Sequence, residues 1–142
     1  MKRWHYRAGM VAAATRVMVA WHGKRRAGVI VEAMPVLSCR LRDVATERRF
    51  VRADRGEGAR AVNSSVRAIS RVVVHPTYRG IGLAVRMVRA MLETSTSEYV
   101  EAMAAMGKVN PFFERAGMER WERHGSIVYY LHHRHEPREP EA

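Results

Sequence analysis

The sequence predicts an α+β fold in a single domain, and three observations carry that expectation. A β-branched run, Arg71-Val72-Val73-Val74-His75-Pro76, passes through glycines at 80 and 82 into a helical pattern, giving a strand, a turn and a helix in succession. Two earlier apolar runs flank Gly23-Lys24, as the arms of a hairpin flank its turn. Beyond the helix come another apolar run, a short segment bounded by Pro111 and Gly117, and a last apolar stretch. With 142 residues and 47% hydrophobic content, the chain fills one core and is too short for two, so the expected domain spans residues 1–142.

The elements follow in order. Residues 1–9 form an opening segment with Trp4, His5 and Tyr6, and strands are expected at roughly 14–21 and 27–34. Residues 38–65 carry seven arginines (Arg40, Arg42, Arg48, Arg49, Arg52, Arg55 and Arg60) and look like no compact core element. Gly56 and Gly58 mark this stretch as a loop or a helix-containing insertion. The strand before Pro76 is followed by a helix from about Gly80 to Glu93. Its apolar positions Ile81, Ala84, Val85, Val88, Met91 and Leu92 make one buried face, with Arg86 and Arg89 pointing away. After a Thr94–Ser97 loop, a strand is expected at 99–104, a helix at 111–116, a strand at 127–131, and a polar tail over 132–142.

The glycine turn is where chemistry is first legible. Glycines let the backbone approach a ligand closely, and the first N–H groups of a helix lack intrahelical partners, so an anion such as a pyrophosphate suits the turn. A dinucleotide fingerprint would need glycine at 85, where Val85 stands, and the Gly-Lys-Ser/Thr of a P-loop is absent. Arg79, Gly82 and Ala84 fill the order Arg or Gln, two residues, Gly, one residue, Gly or Ala. That order resembles the acyl-CoA-binding motif of the GNAT superfamily of N-acyltransferases. The Val72-x-Val74-x-Pro76 lead-in resembles the family's central strand, and Asn110-Pro111-Phe112-Phe113-Glu114-Arg115-Ala116-Gly117-Met118 resembles its later Asn-bearing helix.

The resemblance implies a three-layer α/β arrangement: a mixed, mostly antiparallel sheet flanked by helices, here with an Arg-rich insertion. It implies acetyl-CoA as co-substrate, held by Val72, Val73 and Val74, by Arg79, Gly80, Ile81, Gly82, Leu83 and Ala84, and by Asn110 and Phe113. The main-chain N–H groups near Val73 and Val74 are expected to polarise the acyl carbonyl. Many members carry a tyrosine, thought to protonate the departing thiolate, where this chain has Phe113. Three acid–base candidates remain. Tyr6 is a substitute phenol from the opening segment, and His75 has a suitable intrinsic pKa at a strand end. Glu101, on the strand at 99–104, either faces the gap between central strands as a base or pairs with an arginine.

Charge bears on the acceptor. There are 25 Lys plus Arg against 14 Asp plus Glu, a formal net charge of +11. Residues 1–75 hold 16 basic and five acidic side chains, and residues 76–142 hold nine of each, so the whole excess lies outside the half with the motif. Only three of the cations are lysines, and the planar arginine fork favours phosphate. The resemblance gives the N-terminal half to the acceptor, so an acidic acceptor is expected, nucleic acid or a nucleotide, with Arg48, Arg49, Arg52 and Arg71 as its contacts. Two alternatives stand beside an N-acetyltransferase. One is a Mom-like DNA-modification protein, on a weaker likeness in the early His5-Tyr6 pair and Arg71; the other is a noncatalytic module binding CoA or nucleic acid. No apolar run approaches the roughly 20 residues a membrane span needs, and a cytoplasmic protein is expected. Cys39 is the sole cysteine, and the cluster His132, His133 and His135 lacks a well-placed fourth ligand, so no metal is expected.

Overall fold

In a computed structural model, described over residues 13–105, 111–122 and 127–134, the chain forms one six-stranded sheet with helices on both faces. The strands are β1 (Ala14–His22), β2 (Arg25–Ala33), β3 (Val66–Val74), β4 (Tyr99–Ala104), β5 (Glu119–Glu122) and β6 (Val128–His133). The helices are α1 (Arg40–Ala45), α2 (Arg55–Ser65), α3 (Leu83–Thr94) and α4 (Phe112–Arg115). The sheet order is β1-β2-β3-β4-β6-β5, and every pairing is antiparallel except that of β3 with β4.

Alternation places the side chains. Along β1, Met18 and Ala20 pack toward α3 while Val17, Val19 and Trp21 face the other way and stay exposed. The β1–β2 link is a two-residue turn, His22 opposite Arg25, with Gly23 at φ 59° as a tight hairpin requires. Helix α3 buries Met87, Val88, Met91 and Leu92 on this face, against Ile30, Ile69, Val100, Ala102, Val128 and Tyr130. Its C-terminal end is tied to β1: the Arg16 guanidinium donates to the carbonyls of Thr94 (3.1 Å) and Met91 (3.0 Å) and pairs with Glu32 (3.1 Å). A cation there also suits the negative end of the helix. Helix α4 ends with Gly117 at φ 104°. The Met118 N–H reaches Phe113 O (3.1 Å) and the Gly117 N–H reaches Glu114 O (2.9 Å), the paired bonds of a Schellman ending.

Several expectations are corrected here. The Arg-rich stretch, expected as a loop or a helix-containing insertion and as no compact core element, does contain helices and also contributes to the core. It folds as α1 and α2 on the opposite face, where Phe50 and Val62 join Val66, Tyr99, Tyr129 and Leu131 in a second buried cluster. Asp54 caps α2 by accepting from the Glu57 N–H (2.9 Å). Ile81, expected on the buried helical face, precedes the helix and is 68% exposed. The final strand runs on through His133, which stacks on Tyr99 at 4.5 Å, so His132 and His133 belong to the sheet and not to a tail. Strand β5 was not anticipated at all.

Gly28 shows how closely α3 sits on the sheet. A Cβ there would lie 2.9 Å from both Met87 Cε and the Val73 carbonyl oxygen, and the carbonyl cannot yield as a flexible side chain can. Gly28→Ala is therefore expected to destabilise the fold by about 1–3 kcal/mol in urea unfolding, the usual range for overpacking.

Candidate active site

The site begins where β3 and β4 part. Their parallel pairing covers only Val66 with Tyr99, Arg67 with Val100 and Ala68 with Glu101, so beyond this rung Ile69–Val74 and Ala102–Ala104 face a gap between the strands. Antiparallel register with β2 decides which amides of β3 look into it. The His75 N–H donates to Ala27 O at 2.8 Å, in line with Gly28 opposite Val74 and Val29 opposite Val73. N–H groups alternate along a strand, so Val73 turns its amide to β2 while Val72 and Val74 turn theirs to the gap. Of the two amides expected to polarise the acyl carbonyl, Val74 faces the gap and Val73 is turned away, while Val72 takes an inward position that was not expected of it. The side chains of Val72 and Val74 are partly buried against the α3-side core, which fixes the strand's rotation.

At the end of β3 the chain makes a single 3₁₀ turn, Pro76–Tyr78, then passes Arg79, Gly80, Ile81 and Gly82 into Leu83 and Ala84 of α3. Gly80 at φ 80° and Gly82 at φ 78° take the left-handed backbone that favours glycine, and Gly82 is the N-cap of α3. A Cβ at either would meet nothing within 4 Å, so the space over the turn is open. His75 is engaged in shaping it, with Nδ1 accepting the Thr77 N–H at 3.1 Å. The Tyr78 hydroxyl meets His22 Nδ1 at 2.9 Å, tying the β1–β2 hairpin to the turn.

Glu101 is not disposed as a base. It is 2% exposed, and its carboxylate is gripped by Arg42 through Nε (2.8 Å) and Nη2 (2.5 Å) and by the Tyr129 hydroxyl (2.6 Å). Arg42 is itself 1% exposed and gives a further bond to Val36 O (2.7 Å). Burial would lower the Arg42 pKa, but the hydrogen bond and charge of Glu101 outweigh it and raise the value. Burial, reinforced by the Glu101 charge, pushes the Tyr129 phenol up, so it stays protonated and donates. Of the two readings of Glu101, pairing with an arginine is the one the geometry adopts. Sequence reasoning missed both partners: Arg42 stood among seven similar arginines, and Tyr129 lay in an unremarkable apolar run.

The other candidates divide as follows. Phe113 is 5% exposed and packs on Tyr130 at 5.1 Å and Phe112 at 4.4 Å, so it is a core side chain with little surface for a ligand. Arg49 pairs with Glu98, donates to the Tyr99 hydroxyl (3.2 Å) and lies over the Phe50 and Tyr99 rings. The same fork holds the Glu98 carboxyl below the usual carboxylate range. Arg52 donates to the carbonyls of Arg49 and Val51. Arg48 is exposed at φ 61°. Arg71 is half-buried on β3 and engaged in an interaction of its own. Tyr6, Asn110 and His135 lie outside the described residues. Among the described residues no three of His, Cys, Asp and Glu converge as for a metal ion, and no helix is long and apolar enough to cross a membrane.

A mixed sheet that parts beside a glycine turn at a helix N-terminus is the layout of an acyltransferase fold, and known proteins bear this out. The sequence model of the acetyltransferase (GNAT) family matches residues 13–118, and the chain belongs to that family. Among solved structures it is similar to PH1933 from Pyrococcus horikoshii OT3, with 20% identity and a TM-score of 0.53 over 83% of this chain and 64% of that one. It is also similar to the aminoglycoside acetyltransferase AAC(6')-Ib in complex with coenzyme A and kanamycin, with 18% identity and a TM-score of 0.54 over 83% of this chain and 66% of that one. The chain thus spans about two thirds of the length of these structures, and the likeness is one of fold. No curated protein matches it in sequence.

Removing one partner of the buried ion pair leaves the other charge without a counter-ion in the core. Arg42→Ala should cost about 3–5 kcal/mol in chemical denaturation, whereas replacing Arg42, Glu101 and Tyr129 together by Met, Leu and Phe should cost far less.

Proposed function

We propose that the chain is an acyl-CoA-dependent N-acyltransferase, using acetyl-CoA and acting on an amine carried by an acidic acceptor, nucleic acid or a nucleotide. The observation that carries the reading is the gap beside β3, with the Val72 and Val74 amides turned into it and the open glycine turn at its mouth. The residues present suit the co-substrate. Backbone N–H groups from Gly80 to Ala84 and the Arg79 cation favour a pyrophosphate, and an amide-lined cleft favours a pantetheine arm with its peptide-like groups. The thioester supplies the acyl group when bound.

The chain's own share of the chemistry is mainly placement. One inward amide, that of Val72 or Val74, polarises an acyl carbonyl oxygen as charge gathers on it, and the other, about 7 Å along the strand, holds the pantetheine arm. The amine nitrogen bonds to the acyl carbon, the carbon–sulfur bond breaks, and the amine gives up its proton. With Glu101 locked in its ion pair, the proton traffic belongs to groups at the mouth, where His75 stands, and to solvent. No phenol stands at Phe113 to protonate the thiolate, an absence that favours slow turnover or, as the second reading, a noncatalytic CoA-binding module.

The acceptor reading rests on charge. Residues 38–65 hold seven arginines against four carboxylates, and Arg40, Arg48, Arg55 and Arg60 are exposed. A cationic acceptor would be repelled there; a phosphodiester would be drawn in.

Gly82→Asn adds a side chain to the open space with a residue that tolerates left-handed backbone. It should weaken CoA binding by about tenfold or more in calorimetry, by simple occlusion of the anion site, with the melting temperature little changed. Equal affinity in a folded variant would remove the turn from the site. Thioester turnover is read from free CoA released over a panel of amines, nucleotides and oligonucleotides; binding without release across the panel would select the noncatalytic module.

Nucleic-acid binding, if it uses the α1–α2 face, should fall steeply with salt. Arg48→Ala, Arg55→Ala and Arg60→Ala together should weaken it and reduce the log–log salt slope by about 0.7–0.9 for each phosphate that is no longer neutralised. An unchanged slope in filter binding would return these arginines to the solvated surface.

A further inference from the structure

The β1–β2 hairpin tip carries four groups able to bear positive charge in five residues, His22, Lys24, Arg25 and Arg26, and the proposed donor site makes no use of them. Register puts this tip beside the glycine turn. β2 pairs with β3 through Gly28–Val74, and Ala27 accepts from His75, so the next residues toward the tip run alongside the 3₁₀ turn Pro76–Tyr78. The junction is closed by His22, whose ring meets Tyr78 edge-on at 5.4 Å and whose Nδ1 lies 2.9 Å from the Tyr78 hydroxyl. Arg79, the first residue of the glycine turn, follows directly.

The faces of the hairpin distinguish its cations. His22 and Arg25 are cross-strand partners and share a face, the one that meets Tyr78, whereas Arg26 pairs with Trp21 on the opposite face. Lys24 stands at the turn itself. All three of Lys24, Arg25 and Arg26 are exposed, and none makes an ion pair among the described residues. The surroundings offer no counter-charge in sequence either: residues 13–31 and 66–92, which make the hairpin, β3, the glycine turn and most of α3, contain no Asp or Glu. A rim that, among the described residues, holds cations without an ion pair on one side of the proposed pyrophosphate site is suited to a second, more highly charged phosphate.

We infer that Lys24 and Arg25, braced by the His22–Tyr78 pair, bind the terminal phosphomonoester of the donor, the 3′-phosphate of CoA, and so make the site select CoA over its 3′-dephosphorylated form. This rests on the acyl-CoA reading above. A phosphomonoester carries close to two negative charges at neutral pH, against one for each phosphodiester link, which makes it the stronger ligand for a pair of cations. The same chemistry could come from an acceptor phosphate, and the experiment separates the two sources.

The test is calorimetric titration of the full chain with CoA and with 3′-dephospho-CoA, beside fluorescence-anisotropy titration of a single-stranded oligonucleotide. The wild-type chain should bind CoA about tenfold more tightly than 3′-dephospho-CoA, and the Lys24→Ala/Arg25→Ala variant should lose that ratio by weakening CoA alone. Arg26→Ala, one cation removed from the other face, should keep the ratio. Tyr78→Phe, which cuts the brace, should reduce it in part. An unchanged ratio in the double variant overturns the inference, as does a wild-type chain that binds both forms equally. Loss of oligonucleotide affinity with the ratio intact would overturn it too, giving the tip to the acceptor. A wild-type chain that binds neither form overturns the acyl-CoA reading itself.

Discussion

The buried ion pair between Arg42 and Glu101 is the constraint on which the layout depends. Glu101 sits opposite Ala68 on the last rung shared by β3 and β4, so the pair lies at the point from which the strands diverge. Two charges at this depth are expensive to desolvate, and they persist because the pair is bonded on several sides: Nε and Nη2 of Arg42 to both carboxylate oxygens, the Tyr129 hydroxyl to Glu101, and Nη2 to the Val36 carbonyl. The pair also accounts for α1. A six-residue helix has almost no stability of its own, and α1 is fixed because Arg42 cannot leave without stranding a carboxylate in the core. Thr46, closing the helix, bonds its hydroxyl back to the Arg42 carbonyl at 2.8 Å, which ties the segment's end to the same residue.

With that vertex fixed, the two faces of the sheet take different work. The α3 side holds the larger apolar cluster and sets the rotation of β3, hence the direction of its amides. The α1–α2 side holds the charged pair, the Arg49–Glu98 fork and the exposed arginines. Arginine thus serves two opposite ends on one short stretch of chain. Arg42 is neutralised and buried, while Arg48, Arg55 and Arg60 remain in water and project a field.

Legibility in the sequence tracked how local each feature is. The β1–β2 hairpin, the strand before Pro76, the glycine turn and the cap of α4 were readable because short-range stereochemistry dictates them: left-handed glycines, a proline that stops a strand, a repeating apolar face. The parting of β3 from β4 followed from family likeness, which pointed to the amides near Val73 and Val74; register keeps Val74 and puts Val72 in the place of Val73. What stayed hidden depends on distant partners. Glu119-Arg120-Trp121-Glu122 has no strand signature of its own and becomes β5 only by pairing with β6. Arg42 is indistinguishable from its neighbours until Glu101 is placed beneath it. His132 and His133 read as tail residues because their polarity masks a strand that Tyr99 and Val100 hold in register.

The three-rung ladder between β3 and β4 has a consequence for how the molecule comes together. On one side of it lies a meander, β1-β2-β3, and on the other β4-β6-β5, each built from antiparallel neighbours; the ladder that joins them is short, parallel and closed only after α3 has crossed over. Such a sheet behaves as two half-sheets sharing a hinge line, with the crossover helix as the strap across it. The pairings of β1 with β2 and of β5 with β6 are local and carry a low entropic cost, whereas the joint between the halves, like β2 with β3 and β4 with β6, closes a longer stretch of chain and is one of the non-local steps of assembly. With so few rungs at the joint, amide protons along the inner edges of β3 and β4 are expected to exchange through small separations of the halves, without global unfolding. The cleft proposed for a long flexible arm is in this way also the seam along which the two half-sheets can part.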